Sequence, residues 1–309
     1  SSLMKFLFHL RIAIIGFIMG AADLVPGVSG GTIAFISGIY ERLLNSIKSF
    51  DLSMLKLLLR GQFREVWDRI PVAFFVALGL GLATAILSLS HVLSGLFGSH
   101  PVELWSFFFG LVLGSIVLLI RETWTWKPVD FVAFAVATIA TYWLVGMQAL
   151  QTPSSLIFLF FAGAIAICAM ILPGISGSYL LVIMGKYHQV LEAINSRDFV
   201  SLAVFISGIV IGILSFVRVV SWLLHRWRHV SLITLTGIMA GALRTVWPWK
   251  EVLTTHINSK GEEVPLTQIN IAPVDGSLPM ALIFLVVGII VVVGISHLSP
   301  DRSTDQSKS

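Results

Sequence analysis

The sequence predicts an all-α, polytopic integral membrane protein made of two inverted repeats, each a broken re-entrant helical hairpin followed by three transmembrane helices. Three observations lead there. Of 309 residues, 56% are hydrophobic and only 12% charged, with a mean hydropathy of +0.93; soluble domains carry about 25% charged residues. Several windows reach the roughly 20 apolar residues that a span needs. Finally, a helix-breaking string, VPGVSGG at 25–31, returns as LPGISGS at 172–178.

The first apolar window, 12–47, follows Lys5 and Arg11 and superficially resembles a secretory leader. No small-x-small cleavage site precedes Asp23 and a second apolar half follows directly, so the segment is expected to be mature structure. Next, Lys56, Arg60 and Arg64 recur every four residues, with Leu59, Phe63, Val66, Trp67 and Ile70 mostly on another face. That pattern over 51–69 predicts an interfacial helix lying on anionic headgroups, although Gly61 weakens it. Spans follow at 71–90, 103–120 and 129–149. The string QTPSS at 151–155 divides the chain into a first repeat, 1–150, and a second, 151–309. The second holds the broken window 156–194, spans at 199–223, 230–247 and 279–298, and a short polar tail. Most tryptophans fall near span ends, as interface belts require.

Aligning the two strings fixes an offset of 147 residues. Pro26, Gly27, Ser29, Gly30, Gly38 and Tyr40 then fall on Pro173, Gly174, Ser176, Gly177, Gly185 and Tyr187. If each broken segment dips in and returns, a repeat has three net crossings and its copy is inverted. If each is a full crossing, the copies point the same way. With a cytoplasmic N-terminus the re-entrant arrangement puts 14 Lys/Arg inside and 5 outside, against 13 and 6 for the alternative with an external N-terminus. Charge therefore does not decide. The re-entrant form is preferred because broken backbone at membrane depth survives where protein buries it, and inverted repeats with broken helices are a recurrent transporter plan.

A break frees backbone N–H groups at the start of the next half-helix, which favour an anion. Gly27, Gly30 and Gly31 allow close approach, with Ser29 and Thr32 as hydroxyl donors; Gly174, Ser176, Gly177 and Ser178 would supply the same from the other side. The bland account of these glycines is close helix packing. Asp23 is an acid at membrane depth whose counterpart is Met170, so it is either a proton carrier or a cap for the helix after Pro26. Arg218 is the one cation well inside a predicted span, a counter-charge for an anion unless it snorkels to the interface. Arg244, at a span end, is a second contact or an anchor.

Other chemistries find little support. A single cysteine, Cys168, excludes an intrachain disulfide and a cysteine-based metal cluster. His225 and His229 have helix-face spacing for a metal, but HRWRH offers no carboxylate and two repelling arginines, so a basic juxtamembrane cluster is the simpler account. No P-loop, nucleophile elbow or catalytic carboxylate pair is evident, no cofactor or metal is implied, and a net charge of +4 does not call for nucleic acid.

The string GAADLVPGVSGGTIAFISGIYERLL, with its degenerate copy ILPGISGSYLLVIMGKYHQVL, resembles the PopT-like polyprenyl-phosphate transporters. The resemblance implies a bacterial cytoplasmic-membrane protein that returns undecaprenyl phosphate across the membrane for reuse in peptidoglycan and other envelope polymers; the re-entrant arrangement places both termini in the cytoplasm. It rests on Asp23, Pro26, Gly27, Ser29, Gly30, Gly31 and Thr32, and on Pro173, Gly174, Ser176 and Gly177; Ser178 stands for Gly31 and Tyr179 for Thr32 in the second copy. Its partners would be undecaprenyl phosphate and membrane lipids, and a homo-oligomer is compatible with the sequence. Two rivals remain: a small-anion channel or exchanger using the same paired half-helix starts, and a lipid-phosphate enzyme, for which no constellation is evident.

Overall fold

A computed structural model describes residues 2–25, 28–123, 125–257, 261, 263–274 and 276–298. Among them, seven helices are long and apolar enough to cross a membrane. The chain is a multi-pass, nearly all-helical membrane protein. Helix α1 (Ser2–Asp23) precedes the first break, followed by α2 (Gly30–Ile36) and α3 (Tyr40–Lys48). Two short helices, α4 (Leu52–Leu59) and α5 (Phe63–Arg69), lead to α6 (Val72–Ser99), α7 (Pro101–Glu122) and α8 (Pro128–Val145). The pattern then recurs as α9 (Leu156–Ile171), α10 (Gly177–Ile183), α11 (Tyr187–Asn195), α12 (Phe199–Arg226) and α13 (Arg228–Ala242). A 3-10 turn, Leu243–Val246, strands β1 (Lys250–Ile257) and β2 (Glu263–Asn270), and α14 (Leu278–Ser296) complete it.

In each half, residues that follow the break contact the chain near the start of the helix that precedes it. The Arg42 guanidinium of α3 lies 4.4 Å from the Phe8 ring of α1 and 5.6 Å from Phe74 at the start of α6. The same end gathers Glu41 of α3, ion-paired with Arg228 at the start of α13, and Thr125, whose carbonyl bonds His229. At the opposite end the segment before α9 is stitched to the α10–α11 corner: the Leu150 N–H donates to Ile183 O (2.7 Å) and Thr152 Oγ1 to Met184 O (2.7 Å). Lys186, 2% exposed, donates through Nζ to Pro153 O (2.5 Å) and Gln189 Oε1 (3.0 Å). Left-handed glycines make both corners, Gly38 (φ 79°) and Gly185 (φ 69°), at matched positions.

Glycines also set the long-helix pairs. A methyl group on Gly16 or Gly20 would strike α6 at Leu78 and Leu82; one on Gly208 or Gly212 would strike α9 at Phe160 and Ala164. Gly110 and Gly114 of α7 press in the same way on Leu285 and Ile289 of α14, and Gly237 and Gly241 of α13 on Phe134 and Thr138 of α8. In every pair the contacts advance together along both helices, so the partners run parallel. Close backbone approach through glycines four apart is how membrane helices gain packing without a hydrophobic drive. The pairs α1/α6 and α9/α12 lie within one half of the chain, whereas α7/α14 and α8/α13 join the halves. The principal core cluster runs from α1, α2 and α3 into α6, α7, α12, α13 and α14.

Besides shifted element ends, such as α6 running past the expected residue 90 to Ser99, two features depart from the sequence reading. The segment 51–69, expected as one interfacial helix, is two helices, because Gly61 sits at φ 71° and ends the first. And 250–270, which carried no assignment, holds an antiparallel β-hairpin. It is anchored by Trp247 Nε1 to Ile271 O (2.8 Å) and Trp249 Nε1 to Ser277 Oγ (2.8 Å). The polar tail, 299–309, lies outside the described residues.

Candidate functional site

The first break is organised by Asp23. As the last residue of α1, its Oδ1 accepts the Gly30 N–H at 2.7 Å. Ser29, extended (φ −112°, ψ 136°), caps α2: its Oγ accepts the Gly31 N–H at 3.1 Å and its carbonyl the Thr32 N–H at 3.1 Å. Both are N-cap contacts that satisfy donors a helix start would otherwise leave open. A methyl group on Gly30 would lie 2.7 Å from Asp23 Oδ2, so the glycine makes room for the chain's own carboxylate. Thr32 is fully buried and its Oγ1 has no hydrogen-bond partner. Pro26 and Gly27 lie outside the described residues.

The second break has the same path and different chemistry. Gly174 takes φ 95° and presses on α13, where a methyl group would lie 3.0 Å from the Ala242 Cβ. Ser176 precedes α10 without a side-chain cap bond, its Oγ 3.0 Å from that of exposed Ser178. Above Gly177 sits Met170, where the first motif has Asp23 above Gly30. An acid therefore closes one half-helix start and a thioether covers the other.

The two breaks touch. A methyl group on Gly31 would lie 3.2 Å from Met170 O and 3.3 Å from Ile171 O, and the buried Tyr40 hydroxyl donates to Ile171 O at 2.8 Å. Beside this junction a largely apolar cavity of about 290 Å³ opens between α1, α6, α7 and α14, with Ala22 and Ile33 on its motif side.

The cations lie elsewhere. Arg218 donates to Leu214 O (2.5 Å) and Phe50 O (2.9 Å), tying α12 to the chain after α3. Arg244 stacks 4.4 Å from the Tyr142 ring and donates to Tyr142 O (3.0 Å), near Tyr179, whose hydroxyl bonds Val145 O. His229 does meet an acid, with Nε2 3.2 Å from the buried Asp130 Oδ2, but no group of three or more potential metal ligands occurs among the described residues. Sequence reasoning missed Asp130, because its partner lies about a hundred residues away, and Lys250, which lay in the unassigned stretch.

The decisive comparison is with a family model described as undecaprenyl phosphate translocase-like, which matches residues 19–264 and so takes in both breaks, the end of α1 and five of the long helices whole. The chain belongs to that family. It is 42% identical over 288 residues to a polyprenyl-phosphate transporter of Vibrio cholerae, covering 91% of this chain and 94% of that protein. A Staphylococcus aureus protein of the same name is 31% identical over 252 residues, covering 75% of this chain and 84% of its own. The family is one of transporters rather than enzymes. No solved structure matches the chain.

Proposed function

We propose that this protein returns undecaprenyl phosphate across the bacterial cytoplasmic membrane for reuse in envelope synthesis. Its halves act as inverted repeats, 1–150 and 151–309, whose broken hairpins enter from opposite faces. The α1 end, rich in Lys and Arg through α4, α5 and the α12–α13 corner, faces the cytoplasm with both termini. The observation that carries the reading is the junction itself, where Gly31 and Tyr40 of one hairpin meet Met170 and Ile171 of the other. A headgroup passing between the breaks meets N–H and hydroxyl donors from Ser29, Gly30, Gly31 and Thr32, and from Gly174, Ser176, Gly177 and Ser178. The apolar cavity beside them suits the first isoprenoid units, and the rest of the tail stays in lipid.

Asp23 sets the order of events. Its carboxylate occupies the Gly30 N–H that a phosphate would use, and two anions cannot share one donor cheaply. Protonation or displacement of Asp23 frees the donor, which links proton uptake to headgroup passage. Reconstitution tests this: proteoliposomes loaded with a fluorescent short-chain polyprenyl phosphate are treated with external phosphatase, and the rate at which inner-leaflet lipid becomes accessible is measured. Protein-dependent movement is expected. Rates equal to empty liposomes, or chloride flux without lipid movement, would replace the carrier with an anion channel or remove transport altogether.

A further inference from the structure

We propose that Arg244 and Lys250 form a receiving site for a phosphate monoester headgroup at the α9 end, next to the second break; this rests on the polyprenyl-phosphate reading above. Lys250 opens β1, its Nζ 5.0 Å from the Trp105 ring centroid and 2.9 Å from Asn270 Oδ1. Asn270 closes β2 and donates through Nδ2 to Arg244 O at 2.8 Å. One asparagine thus holds the 3-10 turn bearing Arg244 and the strand bearing Lys250 in register, and the Trp247 and Trp249 anchors fix the β-hairpin behind them.

The charge balance points to a ligand. Both cations are half-buried, and neither has a carboxylate within ion-pair distance among the described residues. Burial, and after it the Arg244 charge, lower the affinity of Lys250 for its proton. Half-buried like charges without a counter-ion are unfavourable unless an anion joins them. A phosphate monoester brings nearly two negative charges; a guanidinium fork and an ammonium point charge are complementary ways to bind it. The second break is close by: the Tyr179 hydroxyl and the Arg244 guanidinium share the last turn of α8, at Val145 and Gly146.

The site has no twin. A constant 127 residues relates Gly110 and Gly114 of α7 to Gly237 and Gly241 of α13. By that offset Arg244 and Lys250 correspond to Val117 and Thr123. A half-buried cation pair beside one break and not the other makes the α9 end the better place to collect a headgroup and the opposite end the better place to release it.

The test uses the full chain in lipid nanodiscs, with limited acetylation of lysines read by mass spectrometry. Undecaprenyl phosphate, undecaprenol and inorganic phosphate are the probes. Undecaprenyl phosphate is expected to slow acetylation of Lys250 about tenfold, equivalent to about 1.4 kcal/mol of protection, with Lys56 unchanged. The phosphate-free alcohol should not protect. Lys250→Gln and Arg244→Gln should each weaken lipid binding by about tenfold, as loss of a charge-assisted bond does, and Lys250→Arg should restore most of it. Wild-type protein that binds the lipid yet leaves Lys250 equally reactive overturns the site while sparing the carrier reading. Equal protection by inorganic phosphate at the same concentration overturns the headgroup assignment. No lipid binding by wild type would overturn both.

Discussion

Asp23 treats the start of α2 as if an anion were already bound there, and this local chemistry gives the sharpest tests. Asp23→Asn keeps an oxygen for the Gly30 N–H, and asparagine caps about as well as aspartate. Thermal stability and lipid binding should survive, while transport loses its dependence on external pH; wild-type pH dependence in the variant leaves Asp23 as a cap alone. Thr32→Val removes a buried hydroxyl without a hydrogen-bond partner. The melting temperature should hold or rise, and headgroup affinity should fall severalfold if the hydroxyl serves the ligand. Lys250 adds a pH signature, with Arg244, Trp105 and Asn270 as its neighbours. Burial and Arg244 hold its ammonium down to about 8, below the ordinary 10.5. Between those values the unfolded chain binds more protons, so stability should rise with pH. Headgroup binding should run the other way, full below about pH 8 and weaker above, and Lys250→Arg should flatten the binding profile. The sequence offered Asp23 as carrier or cap, and the cap contact depends on how α2 turns back over α1, which residue order does not state. For Arg218 it indicated depth but not direction: the guanidinium reaches Phe50 and Leu214 carbonyls.

At the level of elements, hydropathy located the long helices because lipid imposes one rule on all of them. It stopped short on α6, read to residue 90 and extending to Ser99, because Ser88, Ser90, His91 and Ser94 dilute the apolar signal. The β-hairpin escaped because a short, half-polar strand pair outside the membrane has no such rule. Helix pairing was partly legible: Gly16-Gly20, Gly110-Gly114, Gly208-Gly212 and Gly237-Gly241 each carry the four-residue spacing of close packing, but spacing alone names no partner. Gly208→Leu should therefore lower the melting temperature and yield of purified protein, since overpacking typically costs about 1–3 kcal/mol. Gly79→Leu, where an added Cβ meets nothing within 4 Å, should leave both near wild type.

For the whole molecule, the proposed inversion makes a sidedness prediction. Leu10 and Ser53 should lie on the cytoplasmic face and Ser99 on the other. Single cysteines at these positions, in a Cys168→Ser background and probed with an impermeant maleimide in intact cells, should label only at Ser99. Opposite faces for Leu10 and Ser53 would make the first segment a full crossing. The motif offset of 147 residues is the ground for the proposed repeats, but charge counts of 14 to 5 against 13 to 6 were too close to orient them. The contacts that bear on orientation, Arg42 with Phe8 and Lys186 with Pro153, join residues with no periodic relation in the sequence.

The exchange of helices between halves has a consequence for biogenesis. α7 and α8 are made early, yet their close-packed neighbours, α14 and α13, leave the ribosome only much later. Until then Gly110, Gly114, Phe134 and Thr138 face lipid or an insertase rather than the backbone they are shaped to meet. The nascent first half is thus a waiting intermediate, and degradation machinery has its longest opportunity before α13 emerges. Separate chains 1–150 and 151–309 expressed together should accumulate, while either alone should be cleared.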